Sequence, residues 1–167
     1  MKQLIMRISF FLISMLIFSV ICYSKTTFAV DVKVGHITIS DPWARYSFAE
    51  AKSAAAYMTV KNQSGRMEHL IAVRSSIAQK VELHQTKSQN GILKMSLVNK
   101  LDIPAGKTIM LKPGGRHVMF FGLKKPIEEG ATFPLTLEFS KAGKVTVMIR
   151  VLKNEALKKM NKHHHKH

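Results

Sequence analysis

The sequence predicts an all-β sandwich, and three observations carry that prediction. Apolar and polar residues alternate with period two in segment after segment, as in strands with one face buried. Turn signals built on Gly, Pro and Asn recur about every eight to twelve residues. No long helical period, internal repeat or second domain interrupts them. At 167 residues the length suits one domain, large enough to bury about two-thirds of its surface without staples.

Residues 1–29 read as a secretory signal. Lys2 and Arg7 form the positive start, Ile8 to Tyr23 the apolar stretch, and Thr27-Phe28-Ala29 a small-residue cleavage site. An uncleaved anchor stays open as the alternative, although sixteen residues are short for a span. Cys22 is the one cysteine, and bulky Ile21 before it disfavours lipid attachment. Cleavage after Ala29 leaves a domain, residues 30–152, with no thiol. That excludes a blue-copper site, which needs a Cys thiolate, and thiol–disulfide chemistry.

A first strand is expected from Val32 through His36 to Ile39, with Asp41-Pro42 breaking it because proline has no donor. Here His36 is read as structural and Trp43 as a packing anchor. Ser53 to Lys61 follows, with Met58 as core, then a turn at Asn62–Gly65 and a strand from Met67 to Val73. Met67 and His69 share a face there but are left unassigned. Asn90-Gly91 is the strongest hairpin signal in the chain. As a two-residue turn it pairs Gln89 with Ile92 and Thr86 with Met95. Pro104-Ala105-Gly106 and Pro113-Gly114-Gly115 mark two more turns, Pro then Gly suiting positions i+1 and i+2 of a type II turn. Alternating runs from Phe133 to Phe139 and from Val145 to Val151, joined by Lys141–Lys144, complete the set. Residues 153–167 are basic, end in KKMNKHHHKH and have no apolar face, so a flexible tail is expected.

Net charge is +16. Residues 1–29 hold Lys2, Arg7, Lys25 and no acid, so +13 remains without them. The lysines are scattered, with no basic stripe interleaved with aromatics, which argues against nucleic acid. A solvated basic surface or an acidic protein partner accounts for the charge. Membrane contact is expected only through the signal or an uncleaved anchor.

The unusual chemistry lies between Val81 and Phe121. His84 is followed after ten residues by Met95, and after twenty-one more by His117-Val118-Met119. Thioether is a soft neutral ligand and imidazole a borderline one, a set that favours Cu(I) over Mg, Ca or Mn; zinc sites recruit thiolate, imidazole or carboxylate instead. His117 and Met119, two apart in a strand, face one way. In the expected hairpin His84 lies diagonal to Met95, at about 7–8 Å. The competing reading of Met95 is core, because Leu93, Met95 and Leu97 form one stripe.

This pattern resembles the periplasmic copper chaperone family written PCu(A)C, whose motif is H(M)-x10-M-x21-H-x-M. Both spacings match, and Gln85 stands where the motif allows an optional Met. SDPWAR at 40–45, AAAYMTVKN at 54–62, VELH at 81–84, IPAGKT at 103–108, LKPGGRHVMFFGLKKP at 111–126 and FPLTLEF at 133–139 also resemble it. The likeness covers about residues 33–152. It implies a cupredoxin-like Greek-key β-sandwich with His84, Met95, His117 and Met119 as Cu(I) ligands. It further implies a periplasmic, non-enzymatic chaperone that supplies the dinuclear copper centre of cytochrome c oxidase. Its partners would be that enzyme's copper-bearing subunit and thiol-containing assembly factors. Storage or resistance with the same site is the alternative. An enzyme is disfavoured, since no nucleophile–base or paired-carboxylate arrangement stands out. His163, His164, His165 and His167 form a candidate second site, whose imidazoles suit Cu(II). Ligand exchange needs an accessible ion, so the main site is expected near the surface at one end of the sandwich.

Overall fold

The computed structural model describes residues 31–46 and 50–153. The signal expected at 1–29 and the histidines of the tail lie outside the described residues. Eleven strands and no helix are found among those described. They are β1 (Val32–Val34), β2 (Ile37–Arg45), β3 (Ser53–Asn62), β4 (Glu68–Arg74), β5 (Ala78–Gln89), β6 (Ile92–Leu97), β7 (Leu101–Ile103), β8 (Thr108–Leu111), β9 (Arg116–Leu123), β10 (Thr132–Phe139) and β11 (Gly143–Leu152).

Their hydrogen-bonded order is β6-β5-β9-β3-β2-β11-β10-β4-β7, with β1 beside β2 and β8 beside β3. Every pairing is antiparallel except β11 with β2. Neighbours distant in sequence, such as β5 with β9 and β3 with β9, make this a crossed-over topology rather than a meander. The period-two pattern explains the core: Ala54, Ala56, Met58 and Val60 of β3, Val118 and Phe120 of β9, and Leu135, Leu137 and Phe139 of β10 all turn inward and are buried. Phe120 meets Phe133 of β10 edge to face, centroids 5.4 Å apart, which ties the two halves of the sheet together.

Two local expectations are corrected. Gly35-His36 is a turn between β1 and β2, so His36 is an exposed turn residue and not part of a strand. Asp41-Pro42 does not end β2. It forms a bulge between Ser40 and Trp43, with Asp41 at φ 50°, and pairing with β3 resumes at Trp43–Tyr57. A bulge leaves a residue out of the ladder, so the missing proline donor costs little there. The turns are otherwise instructive. Asn90 (φ 54°) and Gly91 (φ 78°) are both left-handed, as a type I′ hairpin requires. The Gly115 amide donates to Lys112 O at 3.0 Å with Gly114 at φ 72°, so Pro113 and Gly114 fill i+1 and i+2 as expected. At the other turn Lys107 N donates to Pro104 O, which moves Pro104 to the first corner and leaves Ala105-Gly106 central.

Two buried polar side chains fasten loops to the far end of the sandwich. Asn62 donates to Arg66 O (2.7 Å) and Ile103 O (3.0 Å) and accepts from the Ser64 amide and hydroxyl. The Glu68 carboxylate accepts from His69 N, Ser140 Oγ, Lys141 N and Ala142 N at 2.7–3.1 Å. Burial raises the Glu68 pKa, but the bonds from Ser140 and the three amides outweigh it, and the carboxyl sits below its usual range. A depressed folded-state pKa stabilises above the unfolded value of about 4.3 and loses that contribution as pH falls through the folded one. The contribution of Glu68 should therefore be complete above the unfolded carboxylate value and be lost as pH falls from there through the lower folded-state one, steepening the fall of stability in acid. In Glu68→Gln the stability at pH 7 should drop by about 1–3 kcal/mol and its decline in acid should flatten. Urea midpoints measured from pH 3 to 7 check both.

Candidate metal centre

On β5, Leu83 enters the core, so Glu82, His84 and Thr86 point outward. On β9, Val118 and Phe120 face the core, and His117, Met119 and Phe121 share the opposite face, where His117 is itself buried. The register aligns the two strands: His84 stands opposite His117, and Glu82 opposite Met119. On the other side of β5, Gln89 pairs with Ile92 and Thr86 with Met95, the register expected from Asn90-Gly91. His84 is thus flanked by β9 and β6, with His117 across one gap and Met95 diagonal across the other. The face lies outside the core, where the β5–β6 hairpin runs beyond the first residues of β9.

The two imidazole centroids are 6.2 Å apart, with ring planes 34° from parallel. Two rings sharing one ion through metal–nitrogen bonds of ~2 Å have centroids about 6 Å apart. Their hydrogen bonds assign the free nitrogens. His84 Nε2 is 3.1 Å from Glu82 Oε2, and a carboxylate only accepts, so this nitrogen carries the proton. His117 Nδ1 is 3.0 Å from Gly115 O and donates to it for the same reason. The lone pairs are then on His84 Nδ1 and His117 Nε2. His84 Nδ1 is buried and has no hydrogen-bond partner. Such an atom costs about 1–3 kcal/mol unless something satisfies it. A buried imidazole lone pair beside a second available imidazole fits a soft cation.

The thioethers differ in placement. Met119 is half-buried beside His117, on the same face. Met95 is 50% exposed, and the stripe it shares with Leu93 and Leu97 is open to solvent, so the core reading of Met95 does not hold. Among the described residues, no three His, Cys, Asp or Glu side chains form a metal-holding group. The other two described histidines lie elsewhere: His36 is exposed, and His69 Nδ1 is 2.8 Å from Asp102 Oδ1. Met67 falls outside β4, so the expected co-facial strand pair with His69 is not formed.

Three neighbours of the site went unread in the sequence. Glu82 accepts from Lys80 Nζ (2.8 Å) and from His84, and these two contacts hold its carboxyl below the usual range. The spacing Glu-x-His in a strand, which makes the pair co-facial, was the available signal. Tyr57 is buried with its ring centroid 6.4 Å from that of His117, and Trp43 stacks on Tyr57 at 4.4 Å. Phe121 packs against His84 at 5.6 Å. Together these rings wall the imidazoles and fix their orientation. A carboxylate that orients a ligating histidine sets its tautomer and basicity. Glu82→Gln should weaken Cu(I) binding about 10- to 100-fold without altering the circular dichroism of the apo protein; an unchanged affinity would remove Glu82 from the site.

The chain matches, over residues 37–151, the family model described as "Putative lipoprotein LpqE-like". It is 34% identical over 116 residues to "Putative lipoprotein Lxx21020" of Leifsonia xyli subsp. xyli, covering 69% of each chain. It is 27% identical over 123 residues to "Uncharacterized protein RP573" of Rickettsia prowazekii, covering 71% of this chain and 68% of that one. Among solved structures it resembles the copper-bound PCuAC domain from PmoF2, with TM-score 0.65, 29% identity and coverage of 74% and 98%. It also resembles the solution structure of CuI-DR1885 from Deinococcus radiodurans, with TM-score 0.58, 29% identity and coverage of 78% and 86%. The all-β, cupredoxin-like fold expected from the sequence is the fold these domains share.

Proposed function

The chain belongs to the LpqE-like family, and from that membership and its paired imidazoles we propose that it is a non-enzymatic copper carrier of the bacterial envelope. The observation that carries the reading is the unpartnered lone pair of His84 Nδ1 beside the free Nε2 of His117. Support comes from two similar structures, the copper-bound PCuAC domain from PmoF2 and CuI-DR1885, the second carrying Cu(I). His84 and His117 hold the ion, Met119 adds a thioether from the same strand, and Met95 closes the site from β6. Neutral thioethers suit Cu(I) and bind it weakly enough for a thiolate acceptor to remove it. The exposure of Met95 favours such exchange.

The finer reading is delivery from the periplasm to the dinuclear copper centre of cytochrome c oxidase, alongside thiol-bearing assembly factors. Anaerobic competition against a chromophoric Cu(I) chelator, with residues 30–157, should give one equivalent bound. Met119→Ala should weaken it more than Met95→Ala, because Met119 lies beside both imidazoles. No binding, or binding indifferent to both changes, would end the carrier reading. Delivery is separated from storage by mixing the loaded protein with the soluble copper-bearing domain of the oxidase: a carrier loses its ion and a store retains it. His163, His164, His165 and His167 are proposed to collect Cu(II). Deleting residues 158–167 should lower Cu(II) stoichiometry and leave Cu(I) stoichiometry unchanged.

A further inference from the structure

β6 is unusual for a strand of this size. Every residue from Ile92 to Leu97 is exposed, including Ile92 (63%), Leu93 (69%) and Leu97 (52%). It ends the strand order, and among the described residues it pairs with β5 alone, which leaves one row of backbone donors and acceptors open. Natural proteins usually blunt such an edge, because it recruits another strand. Lys94 is its only charged residue. The apolar stripe Leu93, Met95, Leu97 is continuous with the face that carries His84, His117 and Met119, since Leu97 is directly opposite His84.

The chain on either side of β6 in sequence is strongly basic, and Lys87 and Lys94 are cross-strand partners within the hairpin itself. From Ala78 to Ile127 the acids are Glu82 and Asp102, against Lys80, Lys87, Lys94, Lys100, Lys107, Lys112, Arg116, Lys124 and Lys125. Both acids are already engaged, Glu82 by Lys80 and His84, Asp102 by His69 and Lys100. An open apolar strand within a basic field selects a partner that is acidic at its rim and apolar at its centre.

We propose that β6 is a docking strand for an acidic protein partner, which adds an extended segment to the open edge and covers the Leu93, Met95, Leu97 stripe. The partner's segment then lies over Met95 and next to the paired imidazoles, where a soft-metal ligand on it could take the ion; this purpose rests on the copper-carrier reading, although the surface does not. Strand addition supplies affinity through main-chain bonds, while the alternating apolar stripe and the lysines supply specificity. A second copy of the chain fits poorly, because a β6–β6 seam gathers Lys87 and Lys94 from both copies. An anionic membrane fits poorly too. The hairpin tip, Ser88-Gln89-Asn90-Gly91, is polar, and the apolar residues run along the flank.

The test is an amide NMR titration of residues 30–167, which contain every described strand and the whole described core. The probe is a cyclic β-hairpin peptide of alternating valine and glutamate, with its lysine-for-glutamate counterpart as control. Saturable shifts should centre on Ile92 to Leu97 with the glutamate peptide and be at least tenfold weaker with the lysine peptide. Leu93→Ser and the pair Lys87→Glu, Lys94→Glu should each weaken binding tenfold or more, and both proteins should still bind Cu(I) like the parent. Shifts that avoid β6, equal binding of the two peptides, or insensitivity to both variants would overturn the proposal. So would preferential partition onto phosphatidylglycerol vesicles, or self-association that broadens β6 on concentration. Failure of the carrier reading shows separately, as loss of Cu(I) binding in a parent protein whose peptide titration is unchanged.

Discussion

Replacing His84 or His117 by alanine should lower Cu(I) affinity more than ~100-fold, beyond the range typical of removing an outer-shell partner. The apo protein keeps its fold. Both imidazoles project from the face of β5 and β9 opposite Leu83, Val118 and Phe120, which carry the core contacts of those strands, and His117 is buried there against the rings of the site itself. His84→Ala has a further signature. It removes a buried nitrogen that has no partner, whose presence costs about 1–3 kcal/mol, and it gives up packing against Phe121. The two effects oppose each other, so apo stability in urea should change by less than about 1 kcal/mol while metal affinity collapses. An ordinary structural histidine would behave in the opposite way, with stability falling and copper binding indifferent. Chelator competition and urea unfolding on the same samples decide between them.

Phe120→Ala should reduce stability by about 3–5 kcal/mol, the largest effect expected of a single substitution here. Phe120 is fully buried, and its edge-to-face contact with Phe133 joins β9 to β10 across the interior. Because His117 and Met119 are its neighbours on β9, the cavity also loosens the strand that presents them. Copper should then bind more weakly, yet adding it should still raise the urea midpoint of this variant more than that of His84→Ala, where the ion has lost its site. A variant whose stability stays within 1 kcal/mol of the parent would mean that Phe120 is not the bridge between the halves.

Much of the site could be read along the chain because its logic is local. Period two places His117 beside Met119, and Asn90-Gly91, which tolerates two left-handed residues, sets Thr86 opposite Met95. The pairing of Pro113 with Gly114 delivers the chain into His117 for the same reason. These depend on φ, ψ and side-chain direction, which neighbouring residues control. Where a local signal met a tertiary need, the tertiary need prevailed. Pro42 is a strand breaker by itself, yet β2 continues past it because β3 pairs with it on both sides of the bulge and β11 pairs with Trp43, Ala44 and Arg45 beyond it.

The sequence by itself determined the all-β class, the hairpin register, the candidate ligands and the soft character of their chemistry. Tertiary structure alone decided that β5 and β9 are neighbours, and so that His84 and His117 face each other although thirty-two residues of chain separate them. It also decided which imidazole nitrogen is left free, that Glu82, Tyr57 and Phe121 wall the site, and that Met95 lies open instead of in the core. The physical reason is range. Backbone preference acts over a few residues, whereas the partner of a strand is chosen by burying the apolar faces of all strands together, and no single segment records that choice.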